Sequence, residues 1–215
     1  MSAFRKTKRY DLLVASPLGA AGLLVRIANE FQGSHPFTFL NATNAMALLA
    51  VFAFVCTETY WLFARKVPRR FSENLISRVI AITGANIGLL LVLLPPISIS
   101  PSLQILSSFL MFIGACASTY VTVWLGSGFS VLPQARQLVV CGPYRFVRHP
   151  LYLSETVISV GLMLQYREPW ALLLTIGATA FQFLRMHYEE RILALEFPAY
   201  RDYAARTARF LPEII

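Results

Sequence analysis

Cys141-Gly142-Pro143-Tyr144-Arg145-Phe146-Val147-Arg148-His149-Pro150-Leu151-Tyr152 is the stretch on which the reading of this chain turns. Two arginines, a histidine and two tyrosines sit among turn-forming Gly and Pro, between apolar runs long enough to enter a bilayer. Polar groups at a membrane boundary are costly to keep dry, so such a cluster marks a functional site by default.

Working outward, composition sets the class. Hydrophobic residues make up 56% of the 215 and charged residues 14%, with a mean hydropathy of +0.58. An average soluble domain is about a quarter charged. A soluble core of this length could not hide so much apolar surface, whereas lipid can. The three cysteines, Cys56, Cys116 and Cys141, lie in or beside apolar runs and form no CxxC spacing. Neither a disulfide framework nor a metal site is indicated.

Apolar segments fall at about 11–28, 45–64, 79–97, 103–125, 151–166 and 170–184. A span needs roughly 20 apolar residues. The second, third and fourth meet that length; the first is interrupted by Pro17 and Gly19. The last two are short, and Tyr166-Arg167-Glu168-Pro169 links them tightly, so they are read as a helical hairpin. The expectation is an all-α integral membrane protein with about six transmembrane segments. Residues 1–125 supply the N-terminal helices and 126–215 the polar loop, hairpin and tail, as one structural unit. With the N-terminus in the cytoplasm, all of the 19 Lys and Arg residues except Arg26 and Arg167 fall on the inside, as the positive-inside rule requires. Both termini are then cytoplasmic. The net charge of +8 is topological, with some attraction to anionic headgroups, and no soluble face exists for nucleic acid. The basic start followed by Leu12–Val25 is read as a membrane segment rather than a secretory signal, because Asp11 and Pro17 interrupt it and Arg26 follows without a small-residue cleavage site.

The polar loop 126–150 and the tail 185–215 bracket the hairpin, so folding brings them to one membrane face. Arg185 and Glu189 are four apart on one helical face. They are either an ordinary ion pair at a helix end or two ligand-reading groups facing a cleft at the Gly142-Pro143 turn. His149 either marks a helix entry, since Pro150 suits the first helical position, or orients a ligand. It has no companion histidine for a metal. Tyr144 and Tyr152 are either interfacial aromatics or walls of a pocket. Glu58 and Glu155 lie inside apolar segments. Each is a candidate substrate contact, but a buried carboxylate needs a partner, and the expectation is that Arg78 or Arg148 supplies it.

Three blocks in order carry a resemblance: Gly142-Pro143-Tyr144 with Arg148-His149-Pro150-Leu151-Tyr152; Arg185 with Glu189-Glu190 and Leu193; and Phe197, Tyr200 and Tyr203 with Arg209-Phe210-Leu211-Pro212. Residues 129–212 thereby resemble the isoprenylcysteine carboxyl methyltransferase family, whose superfamily also includes phospholipid N-methyltransferases. The N-terminal helices are similar only in being hydrophobic. The resemblance implies an S-adenosylmethionine-dependent methyltransferase with a cytoplasmic cofactor pocket. Gln134, Arg136, Gln137, Leu138, Val139, Tyr144, His149, Pro150, Leu151, Tyr152 and Glu189 would hold the cofactor. Arg185 would meet a lipophilic methyl acceptor, a carboxylate, amine or thiol. The chain departs from the pattern at Gly126-Ser127-Gly128-Phe129, where many bacterial relatives carry an arginine, and at Ser154, often Gly. Methyl transfer from a sulfonium is an in-line displacement needing no metal, so alignment and exclusion of water suffice. Two other classes fit the same scaffold: a sterol-reductase-like NADPH enzyme and a non-catalytic membrane protein. Oligomeric state stays open.

Overall fold

The computed structural model describes residues 38–72, 74–166 and 168–211. The first apolar segment, 11–28, and Arg167 lie outside them. Helix α1 (Phe39–Ala64) begins where the Thr38 hydroxyl accepts from the Asn41 N–H at 3.3 Å. Such a cap satisfies a donor the helix itself leaves unpaired. Helix α2 (Leu75–Asn86) is capped in the same way by Asn74, and helix α3 (Pro101–Leu125) by Ser100, with Pro101 at its first position. Helices α4 (Pro150–Met163), α5 (Trp170–Glu196) and α6 (Tyr200–Arg206) complete the chain. A two-stranded antiparallel ribbon joins β1 (Arg70–Phe71) to β2 (Gln134–Ala135), with Arg70 opposite Ala135. This ribbon is a small departure from an all-α architecture, and it ties the polar loop to the linker between α1 and α2.

Two described helices, Phe39–Ala64 and α3 extended to Gly128, are long and apolar enough to cross a membrane. Only 28% and 44% of their most apolar stretches are buried against protein. Phe109, Phe112, Tyr120 and Val123 of α3 point outward, which suits an apolar solvent. Helix α3 packs between α1 and α4. The contact with α4 is close because small residues line it. A Cβ on Gly114 would lie 2.8 Å from the Ile158 side chain, and one on Gly161 would lie 2.9 Å from the Ser107 carbonyl oxygen. Small residues let helix backbones approach in this way where lipid offers no hydrophobic drive. Ser118 donates to the Ser154 hydroxyl at 2.8 Å across the same seam, so Ser154 adds an interhelical bond.

The third apolar segment is not one continuous α-helix. Helix α2 stops at Asn86 and continues as a 3-10 helix, Ile87–Leu93. The Asn86 side chain donates to the Ile82 carbonyl at 2.8 Å, a local bond that competes with the regular ladder. Gly84 and Gly88 flank the break, and Pro95-Pro96 follows. At their respective rises the two pieces together are about 32 Å long, still close to the thickness of a hydrocarbon core. The hairpin is splayed rather than zipped. Helix α4 packs mainly on α3 and α5 mainly on α2, and α5 runs past its apolar part to Glu196. The gap between these two helix pairs becomes the site.

Candidate functional site: a cavity with polar and apolar walls

The stretch 141–152 is shaped by its glycine and its prolines. Gly142 has φ +60, and a Cβ there would lie 2.7 Å from the Trp124 ring, so both backbone and space demand glycine. A 3-10 turn, Gly142–Arg145, follows and buries Tyr144. The chain then extends beside the tail: Arg148 N–H donates to the Ala208 carbonyl at 2.8 Å and His149 N–H to the Arg209 carbonyl at 3.2 Å. Helix α4 starts immediately after, at Pro150. His149 is therefore the helix entry and also a buried polar group, 6% exposed.

Glu190 on α5 gathers the charges of this region. Its Oε1 lies 3.0 Å from His149 Nε2, 3.3 Å from Arg209 Nε and 3.5 Å from Arg148 Nε. A carboxylate only accepts, so the His149 Nε2–H donates. Burial works to raise the Glu190 carboxyl, but the hydrogen bond from His149 and the charges of His149, Arg148 and Arg209 outweigh it and hold it below the usual carboxylate range. Burial, then the nearby Glu189, pushes the Tyr144 phenol well up. Burial likewise pushes Tyr203 up to about 12, with Arg148 opposing and Glu190 adding. Tyr203 donates to the Tyr144 carbonyl at 2.6 Å. Both phenols are neutral at physiological pH, available as hydrogen-bond donors.

Arg185 and Glu189, one turn apart, meet through Tyr152. The guanidinium stands over the Tyr152 ring, 4.8 Å from its centroid, and the Tyr152 hydroxyl donates to Glu189 Oε2 at 3.0 Å. His149 stacks on the same ring at 5.5 Å. One aromatic side chain thus organises three polar groups, a cation–π contact among them. Both side chains thus turn to Tyr152.

All of this borders one cavity of about 310 Å³, within the usual range for small-molecule sites. Gln134, Gln137, Leu138, Val139, Tyr144, His149, Leu151, Tyr152, Arg185 and Glu189 line it. Arg136 and Pro150 do not: Arg136 is buried behind the wall, donating to the Gln134 side chain, and Pro150 is the buried first residue of α4. Val51, Phe54, Val55 and Leu62 of α1 with Ile158 and Leu162 of α4 make the apolar part. Gln137 is fixed by donating to the Leu125 carbonyl at 2.7 Å.

Glu58 and Glu155 also line the cavity, and their expected partners are engaged elsewhere. Arg148 is on Glu190, and Arg78 Nε donates to the Ser72 carbonyl at 2.9 Å. The cation that acts on both carboxylates is Arg185. Glu155 Oε2 accepts from Gln182 Nε2 at 3.0 Å. Gln182, Thr156 and Ser130 had no signal of their own in the sequence: each is a neutral polar residue in an apolar or loop context. Four buried polar atoms on lining residues, Ser130 Oγ, Gln134 Nε2, Arg185 Nε and Tyr200 OH, make no hydrogen bond within the protein. Buried polar groups normally have partners, so these four atoms are open positions on the cavity wall.

Residues 86–199 match the family described as phospholipid methyltransferase. The chain belongs to the phospholipid methyltransferase family. It is also similar to the nickel-cobalt-cadmium resistance protein NccN of Alcaligenes xylosoxydans xylosoxydans, 33% identical over 115 residues, which are 51% of this chain and 53% of that protein. The cobalt-zinc-cadmium resistance protein CzcN of Cupriavidus metallidurans is 34% identical over 79 residues, 36% of each chain. The chain thus spans about half and about a third of the length of these two curated relatives. A solved structure of the eukaryotic intramembrane Ras methyltransferase, isoprenylcysteine carboxyl methyltransferase, is similar at a TM-score of 0.46 and 16% identity, over 98% of this chain and 95% of that one. Among the described residues, no group of three or more His, Cys, Asp or Glu side chains is placed to hold a metal ion. The matched family region contains the 3-10 break, α3, the polar loop, α4 and all of α5, and so most of the cavity wall.

Proposed function

We propose that this member of the phospholipid methyltransferase family is an S-adenosylmethionine-dependent enzyme of the membrane that methylates the headgroup of a lipophilic acceptor. The observation that carries the reading is a cavity with both polar and apolar walls. Unbonded polar atoms and charged side chains come mainly from the polar loop and α5, while α1 and α4 add an aliphatic and aromatic lining around Glu58 and Glu155. A cofactor with an adenine, ribose hydroxyls and an amino-acid group fits the first. A hydrocarbon tail fits the second.

When bound, the cofactor supplies an electrophilic methyl on a sulfonium. Gln134, Gln137, Leu138, Val139, Tyr144 and His149 to Tyr152 would hold it, with Glu189 facing its cationic part; Arg136 would act from behind by fixing Gln134. The neutral Tyr144 and Tyr200 phenols are donors for its polar edges. Arg185, held over Tyr152 on the same wall, would align the acceptor. The walls exclude competing water, and positioning of two reactants in one pocket accounts for much of such a rate enhancement.

The test is transfer of label from methyl-tritiated S-adenosylmethionine to organic-extractable product by protein reconstituted with a lipid extract. Label in the organic phase, abolished by Arg185→Ala, is expected. Reconstituted, folded protein that binds NADPH in place of S-adenosylmethionine would contradict the proposal.

A further inference from the structure

We propose that the outer groove between α5 and α6 binds the phosphate of an anionic membrane lipid, held there as an unreacted ligand and apart from the cavity described above. The groove has a volume of about 500 Å³, and His187, Arg191 and Ala194 of α5 line it with Arg201, Ala204 and Ala205 of α6.

Charge is the first argument. Arg191 and Arg201 are exposed, come from the two helices that form the groove, and take part in no ion pair among the described residues. His187 adds an imidazole N–H donor in either protonation state. Glu190 also borders the groove, but His149, Arg148 and Arg209 surround its Oε1. Asp202 does not line it. The groove therefore has an excess of positive charge, and its three alanines leave room for an anion between the arginines.

Position is the second argument, and it selects a lipid over a free anion. Leu173, Ile176, Phe183 and Leu184 are exposed apolar residues of α5. Ala180, His187 and Arg191, also exposed, fall on the same stripe at intervals of three and four residues, so all share one helix face. His187 and Arg191 are three and seven residues past Leu184, or about 4.5 and 10.5 Å along the axis. A headgroup layer is about 5–7 Å deep on each side of a bilayer, and the arginine stem lets its charge reach back into that layer. Acyl chains lying on the apolar stripe thus bring a phosphate to His187, Arg191 and Arg201. A free phosphate would gain nothing from the stripe.

Such a ligand would also steady the cavity from outside. Among the described residues, no side-chain hydrogen bond or ion pair joins α6 to α5, so a phosphate shared by Arg191 and Arg201 would tie the two helices together. Tyr200 of α6, 4% exposed, borders both the groove and the cavity. Tyr203 of the same helix holds the Tyr144 carbonyl.

The experiment uses detergent-purified full chain, with dioleoylphosphatidylglycerol as the probe. Dioleoylphosphatidylcholine serves as the zwitterionic lipid and inorganic phosphate as the free anion. Native mass spectrometry reads lipid binding, and amide hydrogen exchange reads the order of α6. Arg191→Gln and Arg201→Gln should each weaken phosphatidylglycerol binding about fivefold, and the double variant about 25-fold, the share of one and two basic residues near an anionic headgroup. Unchanged thermal unfolding in phosphatidylcholine micelles verifies that these variants fold. Arg206→Gln, on α6 but outside the groove, should bind as wild type does. Phosphatidylglycerol should slow exchange in α6 of wild type and not of the double variant. Equal binding of the two lipids, an affinity unchanged in the double variant, or an equal loss in Arg206→Gln would overturn the site. So would inorganic phosphate slowing exchange as much as the lipid does, because the ligand would then be a free anion. No readout requires methyl transfer, so the lipid site and the methyltransferase reading stand or fall separately.

Discussion

Glu190 and Glu155 are carboxylates in two neighbouring regions of this molecule, and their surroundings are opposite. Glu190 sits where the tail meets the start of α4, with His149, Arg148 and Arg209 all within 3.5 Å of one oxygen. Glu155 sits in the cavity wall with a neutral amide as its hydrogen-bond partner. The first is locked in one charge state and joins α5, the tail and the entry to α4. The second has no such lock. The local supply of cations thus separates a carboxylate that ties elements together from one left facing the cavity.

The largest effect that would sharpen the contrast is expected at Arg185, the cation shared by Glu58, Glu155 and Glu189. Arg185→Ala should reduce methyl transfer by about 1000-fold, in line with removal of a preorganised charge, while S-adenosylmethionine affinity changes much less. Normal turnover in that variant would break the assignment of Arg185 to the acceptor.

Next comes Glu190→Gln, which should destabilise the protein by about 2 kcal/mol, below the cost of breaking a fully buried pair because the site is partly open. The effect has a pH signature. The folded-state carboxyl lies below its unfolded value, so its contribution is complete above the unfolded pKa of about 4.3 and disappears as pH falls through the folded value. Thermal unfolding in detergent should show wild type losing stability below about pH 5, with the Glu190→Gln difference shrinking over the same range. A difference that grew on acidification would contradict the clamp. The smallest effect is expected from Tyr152→Phe, which keeps the ring under Arg185 and deletes the hydroxyl that holds Glu189. Cofactor affinity should weaken about tenfold, roughly one hydrogen bond to a charged group, as calorimetry would show.

Much of the charged end was legible in the sequence because its signals are local. Gly142 and the prolines at 143 and 150 dictate the turn and the helix entry, and the four-residue spacing of Arg185 and Glu189 sets them on one face. What they meet was not legible. Tyr152 is 33 residues before Arg185 in sequence and comes to it only because α4 and α5 splay, a tertiary property without a local signature. The break in the third apolar segment was concealed by hydropathy, which counts apolar residues but is blind to the Asn86 side chain bonding back to Ile82. The partners of Glu58 and Glu155 were missed for a further reason. A carboxylate in an apolar segment points to a cation as its partner, whereas the residue that holds Glu155 is the uncharged Gln182 in the apolar part of α5. A polar residue in an apolar helix, neutral or not, is the more general signal.

The most direct test of this cavity as a cofactor and acceptor site is calorimetric titration of S-adenosylmethionine into detergent-purified wild type and Glu189→Ala, with NADPH as the control ligand. Saturable S-adenosylmethionine binding, weakened about tenfold or more in Glu189→Ala and not reproduced by NADPH, is the predicted result. Folded wild type that takes up no S-adenosylmethionine, or a Glu189→Ala variant that binds it unchanged, would contradict it.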